Sequence, residues 1–315
     1  MPPATATLPI ETEHDPVDQA LERVFGFKSF RPGQREIVDA LLAGEDLLAV
    51  MPTGGGKSLC YQLPAVMQPG LTLVVSPLIA LMDSQVAQLR LLGIAAAAVH
   101  SGIDRDERAR IWQEIKAGTL KLLYLSPELL GTERLQAALD RLELSQIIVD
   151  EVHCVSQWGH DFRPDYRNLA ALPNRFPQAR IAGFTATADR VTRDDIKGQL
   201  FTDREARVFV HGFDRPNIRL TVLEKDRPER QLLGILERFK GRQGIVYRLA
   251  RKATEETAAN LVAAGFPAVA YHAGLDAGRR KELLDRFLTE PDLIVVATIA
   301  FGMGIDKPDI RFVAH

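Results

Sequence analysis

The 315-residue sequence holds only two cysteines, Cys60 and Cys154, far apart along the chain. That excludes a disulfide framework and a four-cysteine zinc site, and it suits a reducing, cytoplasmic setting. No apolar run comes near the roughly 18 residues that a membrane helix needs, so no membrane role is expected. The first residues, MPPATATLPIETEHDP, combine neither a basic stretch nor an apolar core and do not read as a signal peptide. A strong positive balance is also missing, because the net charge is −2. Any nucleic-acid contact must therefore come from a local surface. What the chain does have is 46% apolar and 25% charged residues, enough for an ample core, at a length that suggests two domains.

Short apolar runs recur at 46–52, 71–77, 94–101, 121–127, 146–151 and 180–186, each followed by a polar or amphipathic segment. Such runs predict parallel strands buried on both faces, in an α/β sheet flanked by helices. The rhythm pauses in the charge-rich stretch VFVHGFDRPNIRLTVLEKDRPERQ (208–231), then restarts at 244–248, 268–274, 293–298 and 310–315. The expected organisation is a disordered tail over 1–19, a first lobe over 20–207, a linker over 208–230 and a second lobe over 231–315. The second lobe is expected to be incomplete, since the chain stops in or just after a strand.

The stretch MPTGGGKSLCYQLP carries the first chemical signal. Gly56, Lys57 and Ser58 fit the end of the pattern G-x-x-x-x-G-K-[ST], whereas Met51 stands at its first glycine. A strand before it and a helix after it supply the context of a phosphate loop. Gly54 to Gly56 would turn backbone N–H groups toward one point at a helix N-terminus, with Thr53 beside them as a further nucleotide-binding residue. Lys57 would meet the β- and γ-phosphates, and Ser58 would meet Mg²⁺. The alternative, a glycine-rich turn beside a lysine-first helix, does not account for QIIVDEVH. There Asp150 and Glu151 stand at the end of an apolar strand, one carboxylate for the metal shell and one to orient an attacking water.

The combination MPTGGGKS…DEVHCVSQWGHDFRPDY…FTATAD resembles the RecQ family of superfamily 2 DNA helicases over nearly the whole chain beyond the tail. The resemblance implies two RecA-like lobes, ATP and Mg²⁺ as cofactors, and no zinc in this chain. It implies single-stranded and partly duplex DNA as partners, 3′-to-5′ translocation, and work in recombination and repair at the chromosome. Within FRPGQ, Gln34 matches a glutamine that reads adenine and Arg31 a nearby contact, and Phe27, just before the segment, matches an aromatic that stacks on the base. On residues alone, Gln34 would be an ordinary helix-start glutamine.

In HCVSQWGHDFRPDY, Trp158, Phe162 and Arg163 are expected to stack on and contact single-stranded DNA. A buried tryptophan anchor is the alternative. His153, Cys154 and His160 lack a recognised zinc spacing. Ser76 in SPLIALMDSQV, His272 in YHAGL and Thr298 match positions that hold the strand, Thr185 and Thr187 a link from the ATP site, and Asp306 a ribose contact.

Two local departures from the family pattern stand out: Val152 where alanine is usual, and Arg248 where a small residue or cysteine is usual. The larger one is the ending, because relatives continue into arginines that complete the ATP site, then a zinc subdomain and a winged helix. The expectation is a chain that binds ATP but hydrolyses it weakly. The alternative reading is a hydrolysis-deficient, ATP-gated DNA-binding fragment.

Overall fold

The computed structural model describes residues 15–158, 164–212, 218–298, 301, 307 and 309–315. The chain divides into two units, Met1–Arg215 and Pro216–His315.

In the first unit six apolar runs and one further segment form strands: β1 (Asp46–Val50), β2 (Leu71–Val75), β3 (Ala96–Val99), β4 (Leu122–Leu125), β5 (Leu144–Asp150), β6 (Arg180–Thr185) and β7 (Ala206–Val210). They make one sheet in the order β3-β4-β2-β5-β6-β1-β7, every pairing parallel. Alternate residues feed two separate cores. Leu47 and Ala49 join Ile148 and Phe184 on one face, while Leu48 joins Ile147 and Val149 on the other. That two-sided burial is why these runs are continuously apolar rather than alternating.

The order also positions the site. From β1 the chain crosses to β2, and β5 and β6 later fill the space between them. The C-terminal ends of β1, β6 and β5 thus become successive neighbours, about 5 Å apart. A ligand crevice belongs at such a switch in strand order.

The second unit has β8 (Gly244–Tyr247), β9 (Ala268–Tyr271), β10 (Ile294–Ala297) and β11 (Phe312–Ala314) in the parallel order β11-β8-β10-β9. Gly244 faces Phe312 across the ladder, and a Cβ there would lie 2.2 Å from the phenyl ring. Glycine is therefore what admits the ring, which packs on Phe239 at 5.2 Å.

Two boundaries differ from the sequence reading. The segment from Asp15, expected within the tail, belongs to the fold: Asp15 caps the helix Pro16–Ala20 by accepting from Val17 N at 2.8 Å, and Arg35 pairs with Asp15 and Asp18. The linker also starts later than residue 208, because β7 runs to Val210. As an edge strand with only Phe209 buried, β7 shows none of the apolar continuity that marks the inner strands.

Candidate nucleotide site

The loop after β1 is shaped by its glycines and by a clasp from another segment. Gly54 and Gly56 have φ of 79° and 77°, in the left-handed region that favours glycine. Gly56 caps the helix Lys57–Met67 without any side-chain hydrogen bond to its first turn. Leu59 N turns back to Gly56 O at 3.2 Å, no side chain of the cap residue covers the N–H groups before it, and the helix dipole favours an anion there. Gln34, 3% exposed at the start of the helix Gln34–Leu42, donates from Nε2 to the carbonyls of Gly55 and Gly56, both at 3.1 Å. Its Oε1 accepts from Arg31 N at 2.8 Å, and the Arg31 guanidinium donates to the Gly54 carbonyl. Three successive glycine carbonyls are thus drawn toward FRPGQ. Gly55 N is used within the loop, donating to Pro52 O at 2.9 Å; since N–H and C=O point opposite ways across a peptide plane, the N–H groups of Gly56 and Lys57 are turned away from the clasp.

Asp150, at the end of β5, is 8% exposed. Burial first, and the neighbouring Glu151 charge second, push its carboxyl up to about 7, against the pull of Lys57. Glu151 N donates to Asp150 Oδ1 at 3.0 Å, and the Ser76 hydroxyl lies 3.5 Å from Oδ2. Burial raises the proton affinity of such a carboxyl, and a cation bound beside it would favour the charged form.

Glu151 itself takes a left-handed backbone, φ 48° and ψ 46°, a strain of roughly 1–2 kcal/mol for a residue with a Cβ. The turn is braced behind it by Cys154 N donating to Glu151 O at 2.9 Å and by buried Tyr166, whose hydroxyl donates to Asp150 O at 3.2 Å. His153 holds the side chain. The Thr185 hydroxyl donates to Thr187 O at 3.1 Å, so it accepts from His153 Nδ1 at 2.8 Å, and the same Nδ1 lies 3.3 Å from Glu151 Oε2. Val152 fits because β6 has Gly183 beneath it; a Cβ there would sit 3.0 Å from a valine methyl.

Other sequence-named residues fall into three groups. Lys57 and Ser58 open the loop helix, half-buried, and Thr53 lies exposed in the loop. Phe27 is exposed, as is Trp158 at 74%, which excludes the buried-anchor alternative. Ser76 and His272 depart from the strand-holding role expected of them. Ser76 is 1% exposed and turned toward Asp150, and the His272 ring is 4% exposed with Nε2 3.0 Å from Glu255 Oε1. Both side chains pack into the unit that carries them. Thr298 is half-buried, its N–H donating to Tyr271 O at 3.3 Å. Phe162, Arg163, His160 and Asp306 lie outside the described residues.

Sequence reasoning missed the Gln34 clasp, the His153–Thr185 bond and a buried chain in which Gln62 Nε2 donates to Tyr124 OH at 3.0 Å and Gln85 Oε1 at 2.7 Å. All span long sequence separations. The glutamine directly after FRPG was the one visible signal, and it was assigned to adenine alone.

Among the described residues, no group of three or more His, Cys, Asp or Glu could hold a metal ion by itself. The donors fit a magnesium nucleotide instead: a cradle without Cβ atoms, a helix start free of side-chain caps, a lysine, a hydroxyl, and a buried carboxyl that a cation would ionise. An open cavity of about 810 Å³ lies at the opposite end of the first sheet, against Asp46, Arg180 and Ala206. Its Arg204 is taken up by Asp46 and four backbone carbonyls, which marks it as structural.

Comparison with known proteins decides the family. The DEAD/DEAH box helicase family matches residues 31–195, more than half of the chain, and the helicase conserved C-terminal domain matches 224–315. The chain belongs to the DEAD/DEAH box helicases, in their RecQ branch.

ATP-dependent DNA helicase RecQ of Pasteurella multocida is 47% identical over 94% of this chain and 46% of that protein. The probable ATP-dependent DNA helicase RecS of Bacillus subtilis is 40% identical over 95% and 60%. This RecQ-type chain spans about half the length of most curated relatives it matches. In architecture it is similar to the DUF1998 helicase MrfA bound to DNA and AMPPNP (TM-score 0.72, 18% identity, 93% of this chain and 45% of that one). It is also similar to Mss116p bound to single-stranded RNA and AMP-PNP (0.70, 17%, 94% and 65%). Those likenesses fix the RecA-like helicase fold. No described helix is long and apolar enough to cross a membrane.

Proposed function

We propose that this chain carries the motor of an ATP-dependent DNA helicase of RecQ type, moving 3′ to 5′ on single-stranded DNA beside a duplex. Recombination and repair at the chromosome, in the cytoplasm, are the setting that reading implies. The supporting observation is the Gln34-clasped glycine loop after β1 and Asp150 at the end of β5, two strands of one sheet with only β6 between them.

When bound, Mg·ATP supplies the free energy of phosphate transfer to water. Lys57 would hold the β- and γ-phosphates; the Ser58 hydroxyl and Asp150 carboxylate would hold the ion. Glu151, fixed by His153, would orient the attacking water and take its proton. Gln34 spends both amide hydrogens on the Gly55 and Gly56 carbonyls, so reading the adenine edge would require it to release one of them, which would couple adenine to the loop. On the strand side, Trp158 is exposed and follows the acidic pair by seven residues, so it suits base stacking.

The test is steady-state ATP hydrolysis with and without single-stranded DNA or RNA. DNA should stimulate more than RNA, and Lys57→Ala should lower turnover about 10²–10³-fold by removing a charge aimed at the transition state. Equal rates for the parent and Lys57→Ala would remove the nucleotide reading. Retained ATP binding without stimulated turnover would favour the ATP-gated binding protein.

A further inference from the structure

Asp195 lies on the helix Arg190–Leu200, which starts just beyond Thr185 and Thr187 and is capped by Asp189, accepting from Thr192 N at 2.8 Å. Its carboxylate faces the stretch that follows the acidic pair. Oδ2 accepts from Ser156 Oγ at 2.6 Å and from Gln157 N at 3.2 Å, and Oδ1 accepts from Gln199 Nε2 at 3.1 Å. Ser156, fully buried, extends the hold: its Oγ accepts from Trp158 N at 3.2 Å. One carboxylate thereby fixes two consecutive backbone N–H groups, one directly and one through a hydroxyl. The indole on the second of them stays in solvent.

Charge-assisted bonds to a carboxylate are shorter and stronger than neutral ones, so this is a firm mount for an exposed ring. A ring wanted only for packing would be inside. The mount also closes a loop with the nucleotide side. His153 bonds Thr185, the chain runs from Thr185 through Asp189 into the helix, and Asp195 returns to Ser156, three residues beyond His153. A displacement of Glu151 that moves His153 has two routes to Trp158, one along the backbone and one across Asp195.

We propose that Asp195 is a positioning residue that presents Trp158 to a nucleic-acid base and ties that presentation to the acidic pair. It rests on the helicase reading above. Asp195 touches neither nucleotide nor strand; it acts through Ser156 and Gln157. Stacking at such a ring is worth on the order of five- to a hundredfold in affinity, which sets the scale of the expected loss.

The experiment uses a Trp112→Phe background, where Trp158 is the single tryptophan of the chain. Its fluorescence anisotropy decay without DNA reads how firmly the ring is held. Asp195→Ala should release the indole into faster local motion. It should also raise the half-saturating concentration of a single-stranded oligonucleotide about fivefold or more. Asp195→Asn keeps an oxygen that accepts from Ser156 and Gln157 but loses the charge, so it should recover a decay and affinity closer to the parent than to Asp195→Ala.

Parent-like decay and binding in Asp195→Ala overturns the inference, as does Asp195→Asn failing to rescue while it melts with the parent. Should Asp195→Ala not fold, Ser156→Ala removes only the hydroxyl link and must show the same loosened ring. If the parent itself binds no oligonucleotide, the helicase reading falls. The contrast in decay between Ala and Asn then still decides whether Asp195 holds the ring.

Discussion

The two units repeat one turn and differ at another. β3 runs into His100-Ser-Gly-Ile-Asp104, and β9 into His272-Ala-Gly-Leu-Asp276. In both, histidine Nε2 lies 3.0 Å from a carboxylate 17 residues upstream, Asp83 or Glu255. In both, the aspartate caps the next helix, accepting from Glu107 N at 2.7 Å or Arg279 N at 2.9 Å. The turn after the first strand of each unit is different. β1 leads into three glycines clasped by Gln34, whereas β8 leads into Arg248, whose guanidinium donates to Thr257 Oγ1 at 2.9 Å. A parallel sheet provides a ring of strand ends in either unit; glycine and an external clasp make one of them a nucleotide site.

The hardest blow to that contrast is Gly56→Ala. A Cβ there would stand 2.3 Å from Gln34 Nε2 in a left-handed backbone, so it would dislodge the clasp and strain the loop together. Nucleotide affinity should fall tenfold or more, with a stability loss of about 1–2 kcal/mol. Fluorescent-nucleotide titration checks the first, and parent-like affinity would show that the clasp is dispensable.

Asp150→Asn separates function from stability. The carboxyl is raised from 3.8 to about 7 in the folded chain, so its favourable contribution is complete below about 4 and is lost as pH rises through 7. At pH 8 the parent carries a buried, partly uncompensated charge that the amide lacks. Asp150→Asn should therefore be the more stable protein at pH 8, by on the order of 2 kcal/mol, while hydrolysing no ATP. The gap in melting temperature should narrow as pH falls toward 5. A gap independent of pH would mean that the Asp150 charge is already compensated without a cation.

Much of this layout was legible in the sequence. Nine of the eleven strands lie within apolar runs and β5 starts two residues ahead of its own, because a strand buried on both faces is continuously apolar. β7 escaped since an edge strand needs only Phe209 inside. The glycines, Lys57 and the acidic pair were visible because their chemistry is local. What Gln34, Ser76, His153 and Asp195 touch was not, because each partner arrives from a distant segment through the sheet order. The AVHSGID and AYHAGLD repeat was in plain view, yet its meaning depends on the carboxylates of preceding helices.

That repeat can itself be sharpened. Gly102 N donates to His100 Nδ1 at 3.1 Å, while His272 Nδ1 is buried without a hydrogen-bond partner among the described residues. Replacing His100 with alanine therefore orphans a backbone donor that His272→Ala does not. Amide hydrogen exchange in β3 and β9, which reads each unit separately, should show His100→Ala losing about 1 kcal/mol more local protection. Equal losses would mean that the carboxylate contacts and packing, common to both turns, carry the whole effect.

The smallest expected effect is the most informative about the second unit. Arg248 is pinned by one bond to Thr257 and by a 3.5 Å pairing with exposed Glu229, so its charge is directed onto its own helices. Arg248→Ala removes a neutral-acceptor bond and a weak surface ion pair, and Thr257 can turn its hydroxyl to a carbonyl of its own helix. The loss should be about 0.5 kcal/mol, with nucleotide affinity and DNA-stimulated turnover unchanged. If instead affinity fell severalfold, the turn after β8 would be contributing to the nucleotide site, and the two units would be partners in binding where the comparison makes only the first one competent.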